Sequence, residues 1–175
     1  MNYFELFDIP VQLKVNKIGL HPKYISLSRQ YHPDYFVKDG HEKLAEVQDI
    51  SASLNKAYKI FQDPDATIKY VLQLKGLLEE EEKYDLPPEF LMEVLEINEQ
   101  VMDLDQSTVD SQQPAVIQLQ SSINNLQTEI YEPVKEIIEN YQEGVTTKEE
   151  LLQVKAYYYK KKYLDRIRRE LAGKL

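Results

Sequence analysis

The 175-residue chain has no cysteine, only five glycines, and no run of about 18 apolar residues. Each absence closes a class of function. Without cysteine there can be no disulfide, no thiolate zinc site and no thiol nucleophile, a composition suited to a reducing compartment. So few glycines cannot build a phosphate cradle, and neither a P-loop, a GxGxxG nor a GxSxG motif occurs. With no long apolar run, no helix is expected to span a membrane. The opening stretch "MNYFELFD" carries acids where a signal or transit peptide carries bases, so it reads as the start of a folded domain.

The charge that is present is unevenly placed. Residues 1–75 sum to +1, residues 76–151 to −16 and residues 152–175 to +6, within a net charge of −9. A largely acidic surface argues against nucleic acid as the main partner, because a phosphate backbone needs a cationic face. The basic last segment is expected to pack against the acidic middle within one fold.

Helical periodicity dominates, and no stretch alternates as a strand does, so the fold class is all-α. Asn2 with Glu5 forms a capping pair for a short first helix, which Asp8-Ile9-Pro10 ends. A second helix is expected from about Asn16 to Tyr31. Pro22 lies within it and would cost about 3 kcal/mol in a fully interior position. Either the helix kinks there, or it starts at His21 with Pro22 in its first turn. A third helix runs from about His41 to Phe61, with Leu44, Val47, Ser51, Leu54, Tyr58 and Phe61 on one face. Asp63-Pro64 stops it, and a short fourth helix follows, ended by Gly76.

"LLEEEEKYDLPP", residues 77–88, combines four like charges with two prolines and reads as a linker. Three further helices are expected near 88–105, 113–142 and 147–171, as an antiparallel bundle. Pro133 should bend the middle one and Gly144 stop it, while Thr147 with Glu150 makes a capping box for the last.

One short stretch could carry chemistry: "RQYHPDYF", residues 29–36. His32 and Asp34 flank Pro33, and such a group can bind a metal, pass a proton or dock on a partner. Metal is disfavoured, since none of His21, His32 and His41 follows a glutamate at the Glu-x-x-His spacing. "HEKLA" at 41–45 has Ala45 where a zinc-protease motif needs its second histidine. No nucleophile accompanies the pair, so it is no triad. On residue types alone the triplet is also compatible with a plain helix stop and an exposed turn.

The context narrows the choice. "YFELF" at 3–7, "SRQYHPDYF" at 28–36 and "SLNKAYKIFQDP" at 53–64 together resemble the J-domain. That resemblance implies an antiparallel helical hairpin whose His32-Pro33-Asp34 loop is displayed to a DnaK-type heat-shock chaperone and speeds its ATP hydrolysis. No chemistry is implied for the chain itself, and no cofactor. Proline fixes φ near −65°, so its polar neighbours are held in a preset geometry. Asp34 can then form a charge-assisted bond of about 1.5–3 kcal/mol. Lys23, Arg29 and Lys38 are candidates for electrostatic steering. Tyr35 stands where a basic residue commonly follows the triplet.

The second half lacks the Gly/Phe-rich stretch and CxxC modules of general-purpose DnaJ proteins, so its bundle must set specificity. In "EFLMEVLEINEQVMDL", residues 89–104, the positions Phe90, Val94, Ile97, Val101 and Leu104 form one core stripe. Leu91, Met92, Leu95 and Met102 centre on a second stripe, with Glu96 and Glu99 beside it. A second apolar face on an acidic helix marks a contact surface. On the last helix Tyr157, Leu164, Ile167 and Leu171 can face the core. Leu152, Ala156, Tyr159 and Tyr163 form another line, for which internal packing is the favoured expectation.

"FLMEVLEINE" is similar to the segment after the linker in the HscB family, the J-domain co-chaperones of iron–sulfur cluster assembly. That resemblance implies that Leu91, Met92, Leu95, Glu96, Glu99 and Tyr163 bind the scaffold protein IscU. It also implies a chaperone of DnaK or HscA type as the second partner. Animal members carry a cysteine motif ahead of the J-domain; its absence here matches a bacterial, cytoplasmic form. The expected organisation is a J-domain at 1–76, a linker at 77–88 and a scaffold-binding three-helix bundle at 89–175. The competing expectation is an adaptor whose acidic bundle serves a different client or dimerises.

Overall fold

Asn2 accepts the Glu5 N–H at 3.0 Å while the Glu5 carboxylate accepts the Asn2 N–H, so the first helix starts as its capping pair dictates. In the computed structural model, residues 1–106 and 109–174 are described, and among them no strand occurs. The chain divides into two units, Met1–Gly76 with Tyr141–Thr146, and Leu77–Asn140 with Thr147–Leu175.

The first unit holds α1 (Tyr3–Leu6), α2 (Lys17–Gln30), α3 (His41–Gln62) and α4 (Pro64–Leu74), with a 3-10 turn at Pro33–Phe36. Phe4 and Phe7 are buried against Phe61, with ring centroids 4.8 and 5.4 Å away, and Leu54, Val71 and Leu72 complete the core. Aromatic side chains bury 150–250 Å² each, so three of them give this small unit much of its hydrophobic stabilisation. α2 and α3 run antiparallel: Tyr24 stacks on Tyr58 at 4.0 Å and donates to Asn55, while His21 Nδ1 lies 2.8 Å from the Tyr58 hydroxyl. α2 buries only Leu20 fully, so these polar aromatic contacts hold it on α3.

Asn16 caps α2 by accepting the Ile18 N–H. Pro22 therefore sits inside the helix and does not begin it. The residue it deprives of a donor is Ile18, whose exposed position lets water substitute. Asp63 ends α3 and caps α4 through the Asp65 and Ala66 N–H groups, and the buried Thr67 hydroxyl donates to the Ile60 and Asp63 carbonyls. α4 closes before Gly76 at φ +68°, a backbone geometry that favours glycine. The returning segment 141–146 joins this unit through a Lys75–Glu143 ion pair, and Tyr141 donates to the same carboxylate at 2.6 Å. Lys75 holds the Glu143 carboxyl below its ordinary range.

The second unit holds α5 (Pro88–Asp103), α6 (Val109–Tyr131), α7 (Lys135–Glu139) and α8 (Lys148–Ala172), with 3-10 turns at Leu104–Gln106 and Glu132–Val134. Phe90, Val94, Ile97, Val101 and Leu104 are all buried, as their spacing predicts. They meet Leu119, Ile123 and Leu126 of α6 and Leu164, Ile167 and Leu171 of α8. Arg168 bonds Asn124 and Gln127, and Tyr131 packs on Tyr157, which makes α6 and α8 antiparallel. Phe90 beside Tyr163 and Lys174 on Asp105 make α5 and α8 parallel, giving an up-down-up bundle. Lys174–Asp105 and Lys155–Glu82 also bring the basic last helix onto acidic elements, as the charge distribution predicts.

Two expectations for the middle helix are corrected. α6 begins at Val109 and runs through Pro114, where a start near 113 was expected. It is broken at Glu132–Val134, and its continuation ends at Glu139, five residues short of Gly144. Pro133 cannot donate to the carbonyl four residues back and its ring obstructs the same turn, so the helix breaks there. Gly144, at φ +77°, shapes the turn into α8 instead. The Thr147–Glu150 capping box starts α8 as expected.

Candidate functional site

The hairpin of α2 and α3 places its tip at His32-Pro33-Asp34. α2 ends at Gln30, and Pro33 opens the 3-10 turn at its first position, where its missing N–H costs nothing. His32 caps that turn: its Nδ1 accepts the Asp34 N–H at 3.3 Å. Accepting there assigns the proton to Nε2, which leaves Nε2–H as a donor for a partner. The Asp34 carboxylate lies 3.7 Å from the same Nδ1 and its side chain is 84% exposed. The His32 side chain is 54% exposed. The turn thus displays one donor and one anionic acceptor on a backbone that proline and the cap hold fixed.

Arg29, in the last turn of α2, and Lys38, just after the 3-10 turn, flank the triplet and are exposed. Lys23 does not join them. It lies about 10 Å back along α2 at 1.5 Å per residue, and its ammonium faces Asp8 at 3.8 Å. The sequence reading gave no role to two exposed neighbours. Tyr35 is 72% exposed with its ring 5.7 Å from His32, and Val37 is 64% exposed. Their apolar character beside a polar triplet was the signal available.

The second candidate surface is on α5. Its core stripe is fully buried, and Leu91, Met92, Leu95 and Met102 stand 40%, 72%, 56% and 68% exposed. Glu96 and Glu99 are exposed on the same helix. Tyr163, the α8 residue grouped with them, is half-buried and meets Phe90 edge-on, at 6.3 Å and 82°. It is therefore a supporting wall of α5 with one part open.

Tyr159 is spoken for. It stacks on Tyr84 at 4.5 Å and 4°, and donates to Glu82 at 3.1 Å. Lys155 donates to the same carboxylate at 2.9 Å and lies over the Tyr84 ring. Burial and the bond to Glu82 push the Tyr159 phenol up. The bond from Lys155 holds the Glu82 carboxyl below its ordinary range. Segment 77–88, expected as a linker, is thus fastened to α8 of its own unit through Glu82. Its acidic run gave no sign that Glu82 is held.

Among the described residues no cluster of His, Asp and Glu is placed to hold a metal. Among the same residues no helix is long and apolar enough to cross a membrane.

Comparison with known proteins agrees with this architecture. Residues 86–172 match the model of the HSCB C-terminal oligomerisation domain. A co-chaperone protein HscB homolog of Vibrio cholerae is 36% identical over 102 residues, which cover 57% of this chain and 59% of that protein. One of Haemophilus ducreyi is 34% identical over 103 residues, covering 57% and 58%. In sequence, the matched segment thus spans under two thirds of these relatives. In structure the likeness is longer. Human co-chaperone HscB superposes with a TM-score of 0.76 at 25% identity, covering 99% of this chain and 82% of that one. Chaperone HscB from Vibrio cholerae gives 0.74 at 22% identity, covering 99% and 96%, a likeness of fold.

Proposed function

We propose that the chain is a co-chaperone of the HscB type, as its likeness to HscB proteins supports, and that it brings an IscU-like iron–sulfur scaffold to a DnaK- or HscA-type chaperone and stimulates that chaperone's ATPase. The observation that carries this reading is the pairing of two different exposed surfaces, a fixed His-Pro-Asp turn and an unburied apolar stripe.

In this reading the first 76 residues act as the J-domain, with His32, Pro33 and Asp34 as the docking element. Asp34 accepts a charge-assisted bond from a cation on the chaperone, and His32 Nε2–H donates beside it. Arg29 and Lys38 steer approach to an acidic surface. Segment 77–88 leads into a bundle at 89–175 that holds the scaffold through Leu91, Met92 and Leu95. Glu96 and Glu99 select a partner with basic groups near its apolar patch, and Tyr163 backs the surface. Burying the four apolar side chains of the stripe, Leu91, Met92, Leu95 and Met102, yields roughly 6–12 kcal/mol gross, at about 1.5–3 each. Association costs roughly 4–15 kcal/mol. The net is then at most about 8 kcal/mol, so the affinity is micromolar or weaker, suited to an adaptor that must release its cargo. The cluster is the scaffold's cargo; the chain acts as an adaptor without a cofactor of its own, in a bacterial cytoplasm.

Steady-state ATPase of a DnaK- or HscA-type chaperone, with this protein and IscU added separately and together, tests the reading. Strong synergy is expected. Stimulation by this protein without any further effect of IscU would direct the bundle to another client. No change in rate with either chaperone would remove the J-domain reading.

A second reading has one observation in its favour. The matched domain model is described as an oligomerisation domain, and the α5 stripe would suit self-association. Sedimentation across the micromolar range separates the two: a dimer lost on changing Leu91 and Leu95 to Ala would favour self-association.

A further inference from the structure

On the opposite side of α5 from its exposed stripe, the second unit carries a cleft of about 350 Å³ that the proposed function does not use. Residues 89, 90 and 93 line it from α5, and at 100° per residue they lie well around the helix from 91, 92 and 95. Pro133 and Val134, where α6 breaks, also line it. Its floor is apolar, formed by Phe90, Leu126, Ile130 and Tyr157. Its rim is anionic, with Glu89, Glu93 and Glu129 on it and Lys160 as the lining cation. Lys160 lies 5.8 Å from the centre of the Phe90 ring, so its charge is engaged with the cleft wall. None of the three carboxylates has an ion-pair partner among the described residues.

We propose that this cleft binds an extended peptide segment of a partner protein in which one or two apolar residues are flanked by lysine or arginine. The volume accommodates one or two apolar side chains. Three unpaired carboxylates around an apolar floor complement cations on either side of such an anchor. An uncharged or acidic peptide would leave those carboxylates facing apolar or like-charged groups, which costs affinity. The site is separate from the scaffold-binding stripe, so it offers the bundle a second contact that adds to the first when both belong to one partner.

The test uses the full chain and a fluorescein-labelled peptide, Lys-Lys-Leu-Val-Lys-Lys, followed by anisotropy. Saturable binding is expected, weakened at least about fivefold by Glu93→Gln with Glu129→Gln. Both positions are exposed, so the fold should survive. Changing Leu91, Met92 and Leu95 to Ala should leave the peptide's affinity unchanged. Equal binding of Lys-Lys-Ser-Ser-Lys-Lys would reduce the effect to bulk charge and overturn the proposal. So would absence of saturable binding, indifference to the two glutamates, or loss of the peptide in the Leu91–Met92–Leu95 variant. If the double glutamine variant instead dissolved a dimer of the chain, the cleft would be a self-association surface and the peptide proposal would fall.

Discussion

The two surfaces proposed to meet partners are built by opposite means. The tip of the α2–α3 hairpin presents polar atoms on a backbone that is locked: Pro33 fixes one torsion and His32 caps the turn with its own ring. The α5 stripe presents apolar side chains with free rotamers on a helix whose other face is locked by burial. A polar contact gains little unless its geometry is preset, because each bond must beat the water it replaces. An apolar contact needs only area and tolerates adjustment, and methionine is the residue that adjusts best. Mutations at the hairpin tip should therefore act through geometry, and mutations on the stripe through area.

The largest effect should come from the hairpin tip. His32→Gln or Asp34→Asn is expected to abolish stimulation of the chaperone ATPase, with the melting temperature unchanged because both side chains are exposed. A stimulated rate near the wild-type value in either variant would show that the triplet is a turn and nothing more. Next comes the stripe. Leu91, Met92 and Leu95 changed together to Ala should weaken scaffold binding by about 3 kcal/mol, roughly a hundredfold in Kd. Calorimetry measures it, and stimulation of the chaperone by this protein alone should be kept. Loss of both activities in that variant would erase the distinction between the two surfaces.

Salt sharpens the comparison at smaller amplitude. Raising ionic strength shortens the Debye length from about 10 Å at 0.1 M to about 3 Å at 1 M. The chaperone contact proposed for Asp34, Arg29 and Lys38 should weaken several-fold over this range, and the proposed stripe contact should hold or strengthen. Paired titrations of each partner in the same buffers decide it. Parallel loss of both would mean that Glu96 and Glu99, not the apolar side chains, dominate the stripe.

Where the signal is local, the structure was legible from sequence. Asn2 with Glu5 and Thr147 with Glu150 each set a helix start within one turn, and both capping boxes are present. The α5 spacing separated buried from exposed positions residue by residue, because one face of a helix can meet only one core. Where the outcome depends on distant partners, it was not legible. Nothing near Glu82 announces that Lys155 and Tyr159, more than seventy residues on, will hold it. Nothing in "NYQEGVTT" shows that Glu143 returns to Lys75 of the first unit. Nor does anything around Lys23 show that its ammonium faces Asp8, outside its own helix. The middle helix shows a third kind of miss at its start, where α6 runs through Pro114, while at Pro133, where a bend is expected, the helix breaks.

The smallest effect concerns the segment that leads into the stripe. Glu82 has its carboxyl held below the ordinary value of 4.5, chiefly by the bond from Lys155. A lowered folded-state pKa means that the charged form is favoured by folding. The contribution is therefore fully present above pH 4.5 and is lost as pH falls from there through the folded-state value. The protection of residues 77–88 against hydrogen exchange, taken relative to the intrinsic rate at each pH, should fall over that acid window, while α5 amides with buried side chains stay protected. Glu82→Gln should show the acid behaviour already at pH 7, since an amide keeps shape but not charge. Tyr159→Phe should do less, because the stack on Tyr84 survives the loss of the hydroxyl. If Glu82→Gln exchanged no faster than the unaltered protein at pH 7, the ion pair would be incidental and the Tyr84–Tyr159 stack would be what fastens the segment.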